Sequence, residues 1–102
     1  MFQTVQNIEK TLLENNEILK NLGVSKLFLF GSVAKGQNTQ ISDLDFVVQF
    51  QAGKKSFDNF MDLSFTLEEL FYTKIDLITE DSLKGNMKKI IMSEVIPFEI
   101  RY

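Results

Sequence analysis

Apolar residues recur at helical spacing at the head of the chain. Val5, Ile8, Leu12, Leu19 and Leu22 lie three, four or seven apart, which predicts one helix over residues 4–22, ended by Gly23. Asn15 and Asn16 are its weak point. Lys26–Phe30 (KLFLF) is a short apolar run that stops at Gly31 and predicts a buried strand. Residues 31–36 form a turn that can open one short helical turn. Leu44–Phe50 (LDFVVQF) is β-branched and aromatic, a second strand entered from Ser42-Asp43. Phe57, Phe60, Leu63, Leu67 and Leu70 return to helical spacing, and Phe71 adds to that face. Ser56 is the expected N-cap, with Asp58 in the first turn. Lys74–Thr79 (KIDLIT) reads as a third strand, and Ser82–Val95 as a last helix capped by Asp81 or Ser82. Ile96, Phe98, Ile100 and Tyr102 then alternate with Pro97, Glu99 and Arg101. That period of two predicts a short terminal strand, and Pro97 puts it at a sheet edge. The turn-rich stretches 35–41 and 51–56 read as loops. The order is one of the α/β (α+β) class: a small mixed sheet of about four strands with helices packed against it, in a single domain spanning 1–102.

Composition narrows the chemistry. The 102 residues are 44% hydrophobic and 25% charged, enough for one core but not for a second lobe. The net charge of −3 disfavours a general electrostatic grip on nucleic acid or an anionic membrane, so no direct DNA binding is expected. No apolar stretch approaches a membrane span, and MFQTVQNIEK lacks the pattern of a signal peptide, so a cytoplasmic protein is expected. There is no Cys and no His. Thiol nucleophiles, thiolate or imidazole metal sites and a histidine general base are excluded. Catalysis would rest on carboxylates, hydroxyls, Lys, Arg, backbone amides or a bound metal.

Two places carry that chemistry. The first is Phe30-Gly31-Ser32, where a strand ends in Gly-Ser. Glycine lets a phosphate approach the backbone, exposed amides at a turn can bind it, the Ser hydroxyl adds a donor, and Lys35 adds a point charge. The second is Asp43-Leu44-Asp45, ten residues further on. Residues two apart on a strand share a face, so Asp43 and Asp45 project together while Leu44, Phe46 and Val48 point into a core. Two adjacent carboxylates repel, so at least one should have a raised pKa unless a cation lies between them. All-oxygen ligands without His point to Mg²⁺ or Mn²⁺. Asp76 is a third acid inside the apolar run Ile75–Ile78. If its strand lies beside Leu44–Phe50, it joins the same cluster, and three acids on neighbouring strands can hold two metals about 3.5–4 Å apart for nucleotidyl transfer. Each element alone has a plainer reading: a turn, a solvated strand start, an edge charge that blocks aggregation.

Taken together, GSVAKGQNTQISDLDFVV resembles the signature of the nucleotidyltransferase superfamily that includes DNA polymerase β, and most of all its minimal nucleotidyltransferases. Their pattern is a hydrophobic residue, Gly-Ser, about ten residues, then Asp-x-Asp, with a third acid on a later strand. The resemblance covers nearly the whole chain. It implies that Asp43 and Asp45 ligate two Mg²⁺ ions and that Asp76 ligates the catalytic metal and helps activate an acceptor hydroxyl. Gly31, Ser32 and Lys35 would hold the nucleoside triphosphate. It further implies a HEPN-domain protein as partner, with this chain as antitoxin transferring AMP from ATP to a tyrosine of that toxin. Lys35-Gly36 stands where the family commonly has Arg-Gly, which keeps the charge but loses the bidentate fork. Gln49, where relatives often carry an acid, is not read as a ligand.

Two other functions fit the same residues: an antitoxin that neutralises its partner by contact alone, and a small-molecule nucleotidyltransferase of the aminoglycoside-modifying kind, which would need a further domain. So short a chain has no separate acceptor-binding domain, so a partner chain or an oligomer is expected. Lys84 and Lys88, and the acids Asp58, Asp62, Glu68 and Glu69, read as solvated faces, and Lys54-Lys55 as an inert loop tip. The ten Phe mostly mean core, though Phe57, Phe60 and Phe71 could form a partner-binding patch.

Overall fold

The computed structural model describes residues 4–36 and 43–102. Residues 37–41 of the expected loop and the strand entry at Ser42 lie outside the described residues. Helix α1 spans Val5–Glu14, and Thr4 caps it by accepting a hydrogen bond from the Asn7 amide at 3.1 Å. A second helix, α2, follows over Asn16–Asn21. The single helix predicted here is thus broken at Asn15, whose side chain donates to the Thr11 carbonyl at 2.8 Å and competes with the helical ladder.

Strand β1 runs over Val24–Phe30, longer than predicted, with a register irregularity at Ser25. The short helix α3 covers Gly31–Ala34, and β2 covers Leu44–Phe50 as predicted. Helix α4 spans Phe57–Phe71, capped by Ser56, which accepts from the Asn59 amide at 3.1 Å. Strand β3 is Ile75–Thr79, helix α5 is Gly85–Met92 and strand β4 is Ile96–Glu99.

The last helix differs from its prediction. Asp81 and Ser82 do not cap it. Residues Glu80–Ser82 form a 3-10 turn, the Ser82 hydroxyl donates to the Thr79 carbonyl at 2.7 Å, and Asp81 pairs with Lys55. Leu83 is drawn into the interior, so the chain leaves helical geometry before α5 can start. Lys54-Lys55, read as an inert tip, therefore supplies a partner, and Lys55 holds the Asp81 carboxyl below the usual carboxylate range.

The sheet order is β3-β2-β1-β4, with β2 and β3 parallel and the other two pairs antiparallel. β4 sits at an edge, as Pro97 requires. One sheet face carries the rows Ile96, Leu29, Phe46, Leu77 and Phe98, Leu27, Val48. Against it pack Ile8, Leu12 and Leu19 from α1 and α2 and Leu63, Leu67 and Phe71 from α4, all in one apolar cluster. The Phe46 and Phe71 rings lie 6.1 Å apart. Among the described residues no helix is long and apolar enough to cross a membrane.

The chain end is pinned across the fold. Asn16 Nδ2 donates to the Arg101 carbonyl at 2.7 Å, and the Arg101 amide donates to Asn16 Oδ1 at 2.8 Å. The Tyr102 hydroxyl donates to the Val24 carbonyl at 2.6 Å, with Lys20 over its ring. The weak point of the predicted helix thus supplies a two-bond clamp. Asn16→Ala should lower unfolding free energy by about 1–2 kcal/mol in urea titrations, the scale of two net hydrogen bonds. An unchanged midpoint would mean that the clamp contributes nothing in solution.

Candidate active site

The face of the sheet opposite α1, α2 and α4 has its own rows. Lys26 lies beside Glu99 and Gln49, Phe28 beside Pro97 and Val47, and Phe30 beside Asp45. Asp45 in turn pairs with Asp76 across the parallel ladder. In-register residues on neighbouring strands share a face, so the two carboxylates stand side by side. Asp43 precedes β2 by one residue and its charge reaches Asp45. Gln49 is four residues from Asp45 on the same face, roughly 13 Å along the strand at 3.3 Å per residue. It is too far to join the acids, in agreement with its reading from sequence.

Gly31 closes the other side. Its φ of +78° lies in the left-handed region, and a Cβ built on it would come within 2.1 Å of Asp45 Oδ2. The position demands glycine for conformation and for space. Ser32 follows as the second residue of α3 and is half-exposed. The structure therefore gathers Gly31, Asp43, Asp45 and Asp76 at one end of the sheet, with Ser32 next in chain. Lys35, at the end of α3, points elsewhere: its Nζ is 2.9 Å from Glu94 Oε2. Glu94 escaped the sequence reading, because nothing in its spacing connects it with a residue so distant along the chain.

Electrostatics agree with the geometry. Burial first, then Asp76 as hydrogen-bond partner and as charge, then the charge of Asp43, push the Asp45 carboxyl from its ordinary 3.8 up to about 6. Such a carboxyl sits in surplus negative potential, which a cation relieves. The donor set is three carboxylates, and it fits a hard, oxygen-seeking divalent ion. Among the described residues no three acids stand close enough together to hold an ion as they are, so ligation by all three would need their side chains to turn inward. Two cavities, of about 340 and 410 Å³, lie elsewhere: one between α1 and the C-terminal strand, one beyond Phe50 and Thr79 at the far ends of β2 and β3.

A mixed four-stranded sheet with Gly-Ser at one strand end, and paired acids in register on the next two, defines a nucleotidyl-transfer domain. Comparison with known proteins agrees. The sequence profile described as "Nucleotidyltransferase domain" matches residues 8–97, and the chain belongs to that family. A candidate protein adenylyltransferase of Methanocaldococcus jannaschii is 35% identical, the alignment covering 92% of this chain and 97% of that protein. Protein adenylyltransferase MntA of Thermococcus cleftensis is 32% identical, covering 91% and 94%. Among solved structures, a candidate minimal nucleotidyltransferase superposes with a TM-score of 0.71 at 29% identity, covering 88% of this chain and 95% of that one. A toxin–antitoxin structure with AMP-PNP shares the fold, with a TM-score of 0.69 at 19% identity, covering 87% and 70%.

The Asp45 shift gives a pH signature for the metal-free protein. The unfolded chain releases this proton near the ordinary 3.8, whereas the folded protein keeps it to about 6. Between those values the folded state binds more protons, so this group's contribution to stability falls as pH rises through the window and stays lowered above it. Asp45→Asn cannot ionise and should lack that fall. Its stability relative to wild type should rise from about pH 4 to about pH 6 and then level off. A difference that stays flat across the window would show that Asp45 is not crowded by acids.

Proposed function

We propose that this chain is a Mg²⁺-dependent nucleotidyltransferase that transfers AMP from ATP to a hydroxyl of a partner protein, acting as antitoxin to a HEPN-domain toxin. The observation that carries the reading is the alignment of the Gly31 backbone, Asp45 and Asp76 across three strands. The full-length likeness to MntA, named as a protein adenylyltransferase, supports AMP as the transferred group. The HEPN partner rests on the family resemblance.

Divalent ions held by Asp43, Asp45 and Asp76, two of them in this proposal and Mn²⁺ able to replace Mg²⁺, would supply charge to the α-phosphate and the acceptor oxygen. The chain's own groups do the rest. Gly31 leaves its backbone open to the triphosphate, and the Ser32 hydroxyl can donate to a phosphate oxygen. Lys35 can turn from Glu94 to the triphosphate, since an exposed pair contributes only about 0–1 kcal/mol. Asp76, on the edge strand β3, is open to the acceptor and can accept its hydroxyl proton. The acceptor oxygen bonds to the α-phosphorus, the bond to the β-phosphate oxygen breaks, and pyrophosphate leaves.

Two measurements test this. With ATP, Mg²⁺ and a HEPN-domain toxin as the acceptor, intact mass spectrometry should show added adenylyl mass on the toxin. Asp45→Asn should slow the transfer by about 100-fold or more, because it removes a ligand that positions transition-state charge. A toxin whose mass never changes, yet which wild type and Asp45→Asn neutralise equally, would identify a contact-only antitoxin. Lys35→Ala should weaken ATP binding by about 1–2 kcal/mol, and Glu94→Gln should leave it equal or tighter. Unchanged affinity in Lys35→Ala would put that residue outside the triphosphate site.

A further inference from the structure

The outward side of α4 carries two parallel stripes. Phe57, Met61 and Phe65 follow one another at spacings of four and so lie along one line of the helix, and Tyr72 stands just past its end. Asp58, Asp62 and Glu69 repeat at four and seven along the adjacent line. The opposite side, with Leu63, Leu67 and Phe71, fills the core. The patch suggested by sequence is therefore corrected: Phe71 is interior and Phe60 half-buried, while Phe57, Phe65 and Tyr72 are 77%, 53% and 93% exposed.

These groups leave most of their surface outside the chain's own core. Tyr72 ends α4 at a φ of 53°, in the left-handed region where glycine is favoured. A large aromatic side chain there is strained and almost wholly in water. Asp58, Asp62 and Glu69 form no ion pair among the described residues. The helix beneath is well fixed, by the Ser56 cap and by the Phe46–Phe71 contact. Its far end is also close to the acids, because the Leu44 amide donates to the Lys74 carbonyl at 3.2 Å, two residues beyond Tyr72.

We propose that the outer face of α4 docks the protein that is to be modified, and that this partner presents an apolar groove edged on one side by Lys and Arg. The proposal rests on the protein-acceptor reading above. Aromatic anchors at helical spacing are the usual currency of helix-in-groove recognition. The acidic stripe beside them selects a basic rim and repels an acidic one. Helix α5 offers a contrast: it also exposes Met87 and Ile90, but beside Lys84, Lys88 and Lys89, where a basic partner is repelled.

Titration calorimetry with the same HEPN protein tests the surface, at about 50 mM and about 300 mM salt so that screening differs. Phe57→Ser/Phe65→Ser should raise Kd about tenfold or more, with melting temperature and ATP affinity unchanged. Asp58→Lys/Asp62→Lys should weaken binding strongly at low salt and much less at high salt. Met87→Ser/Ile90→Ser should bind like wild type. Stripe variants that bind normally, or a loss confined to the α5 variant, overturn the assignment. So does sedimentation showing that wild type self-associates through this face and the Phe variant does not. A wild-type chain that fails to bind the HEPN protein at all instead removes the partner named above, and the occupant with it.

Discussion

The register of β2 between its two neighbours is the constraint on which the rest depends. Leu44, Phe46 and Val48 must face α1, α2 and α4, because that is where the apolar cover lies. A one-residue slip would turn Asp45 into that cluster and Phe46 out to solvent. The same alternation on β3 sets Ile75 and Leu77 inward and Asp76 outward. On β1 it sets Leu27 and Leu29 inward and brings Phe30 beside Asp45. Ordinary hydrophobic burial thus aligns the acids, with no interaction between the acids needed to do it. Since β1 ends at that row, the chain must turn away directly against the Asp45 carboxylate, and only a residue without a side chain can do so there.

This alignment opposes stability. Three acids are drawn together, and the middle one, half-buried, holds its proton to about 6. Local rules broken in this way tend to mark functional positions. The remainder of that face does not share the conflict: one row further along, Val47 is fully buried, and beyond it Lys26 and Glu99 pair at 3.4 Å. The strain is confined to the end of the sheet where Gly31 also lies. A divalent ion would turn the repulsion into ligation without any change of fold.

Much of this was legible in the sequence because it rests on period and on local residue chemistry. The strand Leu44–Phe50, the Ser56 cap and the edge position of Pro97 all follow from residues within a few positions of one another. What escaped depends on distant partners. Asp81 and Ser82 looked like helix caps, yet Lys55 and the Thr79 carbonyl claim them. Asn16 looked like a defect until Arg101 came beside it. Phe71 and Phe65, by contrast, are both Phe on one helix, and the helical period already separates them: Phe71 falls on the apolar face that meets Phe46, and Phe65 does not.

The pairing of Lys35 with Glu94 follows the same logic of distant partners, and it bears on the site. An ammonium four residues from Gly31 is a natural neutraliser for three crowded carboxylates. Settled among them, it would occupy the position that a cation needs. Glu94 gives it an alternative partner on the turn after α5 and holds it off the acids. The bond is exposed at both ends and correspondingly weak. An exposed pair of this kind contributes only about 0–1 kcal/mol, so Lys35 is placed by Glu94 without being locked there. An arginine at the same place could grip Glu94 through a bidentate guanidinium–carboxylate fork and would be harder to release than this lysine.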